Sequence, residues 1–208
     1  LFFVFVSKEK SMAFYLVIIL TLFMWCLQST RSFHLGEPSD WAGNYYYNFH
    51  NAAITDTLTY LFFTTKEYAW QAFNLIGYYL FDGDFLSYAN FIVALTYMFT
   101  FAAIYKFWNY IQADPRFLVA SLCLFAFVTE VNGICNNLLR QQFAMSMMLY
   151  AIIERCTNGR ILYPLLVISF FTHTMTGFFI PFLFIRLGKK ASFRFYIYIV
   201  LGFGLLYI

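Results

Sequence analysis

Long apolar runs, separated by short segments that carry most of the basic residues, are the feature that most constrains the fold of this chain. The complete runs cover residues 12–27, 88–107, 117–131, 141–153, 161–171 and 174–187. Only 11% of the 208 residues are charged, whereas 62% are hydrophobic and 24% are aromatic. A soluble domain carries roughly twice that charged fraction and could not bury so many aromatic rings in one core. We therefore predict an all-α, multi-span integral membrane protein and exclude soluble globular folds, nucleic-acid binders and disordered tails.

Apolar residues also stand at both termini of the sequence. Residues 1–6 and 195–208 are apolar, and each has the pattern of one part of a membrane span. We expect the sequence to be a piece of a longer protein that lacks both ends. Within it we expect three regions: N-terminal spans over residues 1–28, an extracytoplasmic amphipathic segment over residues 29–87, and a membrane bundle over residues 88–208.

The lysine and arginine residues lie in alternate connections between the apolar runs. If every run crosses the membrane, ten of the 13 lie on one side: Lys8, Lys10, Lys106, Arg116, Arg155, Arg160, Arg186, Lys189, Lys190 and Arg194. By the positive-inside rule this side is the cytoplasm. The same alternation places residues 29–87 and Arg140 on the outer side.

Three consecutive apolar runs cover residues 141–153, 161–171 and 174–187. Each is shorter than the roughly 20 residues that a membrane-spanning helix needs. If their basic ends lie at the cytoplasmic surface, Arg140 and His173 lie at the bottom of a water-filled vestibule that opens to the outside. The alternative joins residues 161–187 into one tilted helix with His173 in mid-membrane. We prefer the hairpin, because one helix would place Arg160 and the later basic cluster on opposite sides.

Within the segment 29–87, residues 68–81 have the spacing of an amphipathic helix. Its apolar positions repeat at helical intervals: Ala69, Ala72, Phe73, Ile76 and Leu80. Gln71 and Asn74 lie off this stripe. We expect the helix to rest on lipid or to cap the vestibule.

The densest polar group among the apolar runs lies at residues 130–142. Asn136 and Arg140 are four residues apart, as are Asn137 and Gln141, so a helix that begins near Asn136 would point both pairs toward one place. A guanidinium flanked by amides suits a phosphate or diphosphate, which arginine binds through two oxygens. The alternative is an arginine that extends to the outer interface while the amides cap the helix. We favour binding, because polar residues inside membranes are costly and tend to be functional.

Two further places could carry chemistry. His173 lies in a polar notch between apolar runs, where an imidazole can act as a base or donate a hydrogen bond to an oxyanion. An equal alternative is that His173 is a turn residue bonded to a backbone carbonyl.

Residues 31–51 combine carboxylates, amides and tyrosines, a composition suited to sugar rings and their hydroxyls. An interfacial aromatic belt would explain the tyrosines but not Asp40 or the amides.

The four cysteine residues form no C-x-x-C pair: Cys26, Cys123, Cys135 and Cys156. Scattered cysteines in or beside apolar runs are typical packing residues. We therefore predict no metal site, no redox site and no cofactor.

The order of these elements resembles the EpsG family, the Wzy-like polysaccharide polymerases of bacterial cytoplasmic membranes. The resemblance spans about residues 12–187 and rests on this order: Arg31, Gly36, Asp40, residues 45–49, Glu67, then Asn137-Leu-Leu-Arg140-Gln141-Gln142-Phe-Ala144 and Phe171-Thr-His173-Thr. Two positions depart from the family pattern. Three residues separate Gly36 from Asp40 where the family has one, and Tyr68 follows Glu67 where the family often has proline.

The resemblance implies a polytopic transmembrane bundle of the GT-C or Wzy-like kind, in the bacterial cytoplasmic membrane. It also implies an inverting, metal-independent glycosyl transfer on the outer face, in which a growing glycan passes from polyprenyl diphosphate to the next lipid-linked repeat unit. Arg140, helped by Arg31, would stabilise the departing diphosphate. Asp40, Glu67 or His173 would take the proton of the acceptor hydroxyl. Substrate contacts are also expected at Tyr45, Glu67, Asn137 and Gln141.

The partners implied are a polyprenyl-diphosphate-linked oligosaccharide and membrane lipids, together with a chain-length regulator and a flippase, and no nucleic acid. An O-antigen ligase or a membrane acyltransferase would also present arginine and histidine to its donor. A flippase or polysaccharide transporter would bind similar ligands without chemistry. A ladder of chain lengths in the surface glycan would favour the polymerase, whereas loss of capping or acetylation would favour the others.

Overall fold

The computed structural model describes residues 10–30, 44–63, 65–127 and 138–184 of the chain. Within these ranges all regular structure is helical, which confirms the predicted all-α class. The α-helices are α1 (Lys10–Ser29), α2 (Tyr46–Ile54), α3 (Thr57–Phe63), α4 (Tyr68–Leu80), α5 (Phe85–Ile111), α6 (Pro115–Phe127), α7 (Leu139–Asn158) and α8 (Tyr163–Thr172). A 3-10 helix, Thr174–Phe184, follows α8.

Helix α5 is the longest of the described elements, and its ends are set by local chemistry. The carboxylate of Asp84 caps it by accepting the backbone N–H groups of Leu86 and Ser87. Gln112, with φ of 51°, ends it in the left-handed conformation. Pro115 then begins α6, where a missing N–H leaves no bond unmade. With 27 residues, α5 is about 40 Å long.

Among the described residues, α5 is the helix that is both long and apolar enough to cross a membrane. Shorter apolar segments are Phe14–Leu27, Pro115–Phe127, Tyr163–Thr172 and Thr174–Leu183. Helix α5 packs against α1 and α7, and α7 packs against α8 and the 3-10 helix. The helices α2 and α4 contact α5 through aromatic rings. Phe49 of α2 stacks on Tyr88 of α5 with ring centroids 4.8 Å apart, and the centroid of Trp70 of α4 lies 6.3 Å from that of Tyr88.

Helices α5 and α7 run parallel, which gives the described bundle two chemically different ends. Phe99 contacts Phe143, and further along both helices Lys106 forms an ion pair with Glu154. We call the end that holds this ion pair the basic end. Besides Lys106 it carries Arg116, Arg155 and Arg160. The opposite end holds the first turn of α7 with Arg140, about 21 Å from Glu154 along the helix.

The chain breaks at His173, as the predicted hairpin requires. Helix α8 ends at Thr172, His173 is extended with φ of −154° and ψ of 114°, and the 3-10 helix follows. The 3-10 helix returns along α7 toward the basic end, because Arg155 Nε donates a hydrogen bond of 2.9 Å to the Leu183 carbonyl. One continuous tilted helix over residues 161–187 is therefore excluded.

Helix α7 differs from its prediction at both ends. It begins at Leu139 instead of near Asn136, and it continues past the apolar run 141–153 to Asn158, for 20 residues. Its last turns are polar but satisfied, since Asn158 Nδ2 donates to Glu154 Oε1 at 2.8 Å. Gly159, with φ of 70°, then closes the helix in the left-handed conformation. Apolar length alone therefore underestimated this helix.

The polar side chains of α4 face inward. Asn74 is buried, whereas Ile76 and Leu80 are 61% and 67% exposed. Asn74 donates to the hydroxyl of Tyr60 at 3.2 Å and accepts from the hydroxyl of Tyr88 at 2.9 Å. Buried amides beside exposed aliphatic side chains are unfavourable in water but suit a helix whose outer side meets apolar surroundings.

Candidate functional site

Glu67, Arg140 and His173 meet in one cluster at the end of the bundle opposite the basic end, and we call them the Glu–Arg–His cluster. One carboxylate oxygen of Glu67, Oε2, bonds to Arg140 Nη1. The other, Oε1, lies 2.8 Å from His173 Nδ1. The side chains of Glu67 and His173 are 12% and 15% exposed, and that of Arg140 is 28% exposed. The cluster is thus shielded, with Arg140 its most accessible member.

Glu67 lies immediately before α4, where Thr65 and Gln71 hold the chain. The hydroxyl of Thr65 accepts the backbone N–H of Glu67 at 3.2 Å and the side-chain amide of Gln71 at 3.1 Å. Gln71 is fully buried, and its Oε1 has no hydrogen-bond partner among the described residues. A buried oxygen without a partner costs about 1–3 kcal/mol. The turn that presents Glu67 is therefore held at a cost in stability, as is common at functional sites.

Arg140 is the second residue of α7. Its Nε is buried and makes no hydrogen bond within the described part of the chain, while Nη1 bonds to Glu67. A guanidinium has five N–H donors in a planar fork, and the N-terminal turn of a helix adds positive partial charge. Arg140 therefore has more donor capacity than its bond to Glu67 uses.

Backbone hydrogen bonds hold His173 on both sides of the chain break. Its N–H donates to the Ser169 carbonyl at 3.0 Å, and its own carbonyl accepts the N–H of Thr176 at 3.0 Å. The hydroxyl of Thr176 also donates to that carbonyl, at 2.9 Å. Because the ring is bound to Glu67 as well, the imidazole has a defined orientation.

The bond between Glu67 and His173 assigns the protons of the imidazole. A carboxylate can only accept, so Nδ1 carries the hydrogen and Nε2 of the neutral ring is the acceptor. The same arrangement, a carboxylate that orients a histidine, serves proton transfer in hydrolases. The cluster can therefore accept a proton at His173 Nε2 and stabilise an anion at Arg140.

A buried hydrogen-bonded chain supports the α3–α4–α5 junction beside Glu67. Burial raises the pKa of Tyr60 to about 12, so its hydroxyl stays protonated over the physiological range. That hydroxyl donates to the Asn48 carbonyl at 2.7 Å and accepts from Asn74. The chain joins α2, α3 and α4 and continues to Tyr88 of α5. It fixes the middle of α4 against the core.

Three of the eight predicted site residues, Glu67, Arg140 and His173, are brought together. Three others lie outside the described residues, so their roles stay predictions: Arg31, Asp40 and Asn137. Tyr45 is buried with its ring edge-on to Trp70, centroids 5.8 Å apart. The amide Nε2 of Gln141 lies 4.0 Å from the sulfur of Met145. Substrate binding by Tyr45 and Gln141 also stays a prediction.

Sequence reasoning did not identify Thr65, Gln71 and Ser169 as residues that support the cluster. Gln71 carries a signal, since it lies four residues after Glu67 on the polar face of an amphipathic stretch. Ser169 carries no such signal, because a serine within an apolar run is commonplace.

Among the described residues, histidine, cysteine, aspartate and glutamate side chains form no group of three or more that could hold a metal ion.

The family model of the EpsG family matches residues 14–208 of the chain. The matched range contains all eight predicted site residues and the whole Glu–Arg–His cluster. No curated protein and no solved structure shows significant similarity to the chain. The match confirms the resemblance inferred from the sequence and supports a role in polysaccharide biosynthesis at a membrane.

Proposed function

The chain belongs to the EpsG family, and from this premise we propose that it polymerises lipid-linked oligosaccharide repeat units into a surface polysaccharide or exopolysaccharide. The reaction takes place at the outer face of the bacterial cytoplasmic membrane, within a polytopic helical bundle. The observation that carries the proposal is the Glu–Arg–His cluster, which combines an anion-binding guanidinium with an oriented base.

The distribution of charge supports this placement in the membrane. The basic end carries Lys106, Arg116, Arg155 and Arg160, and by the positive-inside rule it faces the cytoplasm. The Glu–Arg–His cluster lies at the opposite end of α7 and so faces outward in this orientation. The exposed aliphatic side chains of α4 then contact lipid beside the cluster.

Arg140 is assigned to the leaving group. The donor is a glycan on polyprenyl diphosphate, and breaking the bond between the anomeric carbon and the diphosphate oxygen leaves negative charge on that diphosphate. A guanidinium binds two such oxygens at once. Stabilising charge that develops in the transition state is worth about 3–4 kcal/mol for one well-placed donor. In this mechanism Arg140 supplies that charge without a metal ion or a nucleotide sugar.

His173 is assigned as the base. The acceptor hydroxyl attacks the anomeric carbon from the face opposite the diphosphate, so the configuration inverts, and its proton passes to His173 Nε2. Glu67 holds the Nδ1–H and balances the imidazolium that forms. This assignment uses Glu67 as an orienting group, because both of its oxygens are already bonded. Asp40 remains the alternative base.

The partners follow from this reaction. The donor and the acceptor are both polyprenyl-diphosphate-linked oligosaccharides, so a flippase must deliver repeat units to the outer face. A chain-length regulator is the further partner that we propose.

The test replaces Arg140 in cells that make the polysaccharide and lack their own copy of the protein. Arg140→Ala and Arg140→Lys should both lower polymerisation by roughly 10²–10³-fold, because lysine keeps the charge but loses the planar fork. Single repeat units should remain on the lipid carrier while long chains disappear from glycan gels. Arg116→Ala, a substitution of an exposed arginine at the basic end, is the matched control and should give wild-type chains. Normal chain lengths from Arg140→Ala at wild-type protein levels would falsify the proposal.

A further inference from the structure

Ser169 makes a hydrogen bond between α7, which carries Arg140, and α8, which His173 follows directly. Its side chain is fully buried in α8, and its Oγ donates to the Ala144 carbonyl of α7 at 2.7 Å. Other buried hydroxyls nearby bond within their own helix: Thr172 donates to the Ile168 carbonyl at 2.7 Å. The bond made by Ser169 is thus one between helices, in the interior of the bundle.

The position of this bond relates it to the cluster. Ala144 lies four residues after Arg140, so both project from the same face of α7. Ser169 lies four residues before His173, and its carbonyl accepts the N–H of His173. This hydrogen bond therefore links α7 and α8 at a point about one helical turn, or roughly 6 Å, along the chain from Arg140 on one side and from His173 on the other.

The bond is not needed to complete α7. Within an α-helix the carbonyl of residue 144 is already the acceptor for the N–H four residues later, and a carbonyl oxygen has a second lone pair for the hydroxyl. What the hydroxyl adds is a fixed register between α7 and α8. That register sets the separation of Arg140 and His173, which share Glu67 but come from different helices.

We propose that Ser169 is a positioning residue for glycosyl transfer, which holds the His173 imidazole at its working distance from Arg140. The inference rests on the proposed function, since it takes His173 as the base and Arg140 as the group that binds diphosphate. It predicts that loss of the hydroxyl slows the chemical step and leaves donor binding in place. A displacement of about 1 Å between reacting groups can cost roughly 10²-fold in rate.

The kinetic test uses the full-length protein in lipid nanodiscs, with lipid-linked oligosaccharide extracted from cells that lack the protein. Ser169→Ala should lower kcat by about 10–100-fold and change KM by less than about threefold. Thr172→Val is the matched control, because it removes a fully buried hydroxyl from the same helix without breaking a bond between helices. A kcat for Ser169→Ala within twofold of wild type overturns the inference, as does an equal loss of kcat in Thr172→Val.

A spectroscopic test separates this inference from the proposed function, because it requires no turnover. The imidazole N–H resonance of His173, identified by its absence from His173→Gln, reports the bond to Glu67 in protein labelled with ¹⁵N-histidine. Ser169→Ala should shift or broaden this resonance, and Thr172→Val should not. An unchanged resonance in Ser169→Ala overturns the positioning role. A shifted resonance in a protein whose wild-type form does not polymerise supports positioning by Ser169 and contradicts the proposed function.

Discussion

Glu67 divides its two carboxylate oxygens between Arg140 and His173. The arginine balances the buried negative charge, and the histidine is oriented by it. Removing one partner of a buried ion pair leaves an uncompensated charge and typically costs about 3–5 kcal/mol. The side chain of Glu67 is 12% exposed, so we expect its replacement to change both the stability and the chemistry of the site.

Glu67→Gln tests the chemical role with little change in shape. The amide retains one oxygen that can accept from a neighbour, but it no longer balances an imidazolium, so we expect the polymerisation rate to fall by about 10²–10⁴-fold. The measurement is chain growth on extracted lipid-linked repeat units at matched amounts of membrane protein. Glu154→Gln removes another ion-paired glutamate, which is buried at the basic end, and should lower the rate less than tenfold. Wild-type chain growth by Glu67→Gln would remove Glu67 from the mechanism.

At the scale of elements, the contact between α4 and α5 depends on a glycine in the C-terminal part of α4. The two helices approach closely at Gly77, where an added Cβ would overlap the ring of Tyr88. Tyr88 is fully buried and bonded to Asn74, so the ring has no room to move away. The glycine therefore permits the close contact that holds the C-terminal part of α4 against α5.

The N-cap of α5 makes the stability of this pairing depend on pH. Hydrogen bonds from the hydroxyl and backbone N–H of Ser87 hold the pKa of Asp84 below its usual range. A lowered folded-state pKa means that Asp84 stabilises the fold above the usual aspartate value of about 3.9, and that this contribution is lost as the pH falls through the lower value. Asp84→Ala should therefore cost about 1 kcal/mol at pH 7, and the difference from wild type should shrink below about pH 4.

Thermal unfolding of the purified protein in detergent, at pH values from 7 down to about 2.5, measures this effect, because the range extends below the usual aspartate pKa. Asp84→Asn is the control, because asparagine also caps helices but does not titrate. The stability of Asp84→Asn should not include the loss that aspartate gives at low pH, so wild type should lose stability relative to Asp84→Asn as the pH falls. A difference between wild type and Asp84→Ala that is constant over the whole range would contradict the capping role.

At the scale of the whole molecule, the membrane topology that we propose rests on the separation of the basic end from the Glu–Arg–His cluster. The two lie at opposite ends of α7, and the return of the 3-10 helix brings Leu183 back to Arg155. A membrane potential and anionic lipids favour basic residues on the cytoplasmic side. The fold thus predicts that substrates approach the protein from the outer side, where the Glu–Arg–His cluster lies.

Single cysteines test this topology in a variant that lacks the four native cysteines. With a membrane-impermeant maleimide, Lys66→Cys should be labelled in intact spheroplasts, whereas Asn158→Cys should be labelled only after permeabilisation. Both positions are exposed in the structure, so accessibility of the side chain does not limit either reaction. Labelling of Asn158→Cys from outside would reverse the orientation and place the cluster on the cytoplasmic side.

The sequence by itself determined the all-helical class, the break at His173 and the family. These follow from local patterns, because apolar runs, polar notches and basic connections act over one or two helical turns. It also singled out Arg140 and His173, since charged and polar groups among apolar runs are conspicuous. The ends of helices were predicted less accurately. Helix α7 continues through its polar last turns as far as the cap at Gly159, which the apolar run alone did not indicate.

Only the tertiary structure shows that Glu67, Arg140 and His173 meet. Glu67 and His173 are separated by 106 positions, and no local pattern links a carboxylate in one turn with a guanidinium and an imidazole in two others. The roles that we propose for Glu67 and Ser169 both depend on distances across helices, which follow from the packing of α4, α7 and α8. Such contacts are set by the shapes and burial of many side chains at once, and the order of residues along the chain does not specify them locally.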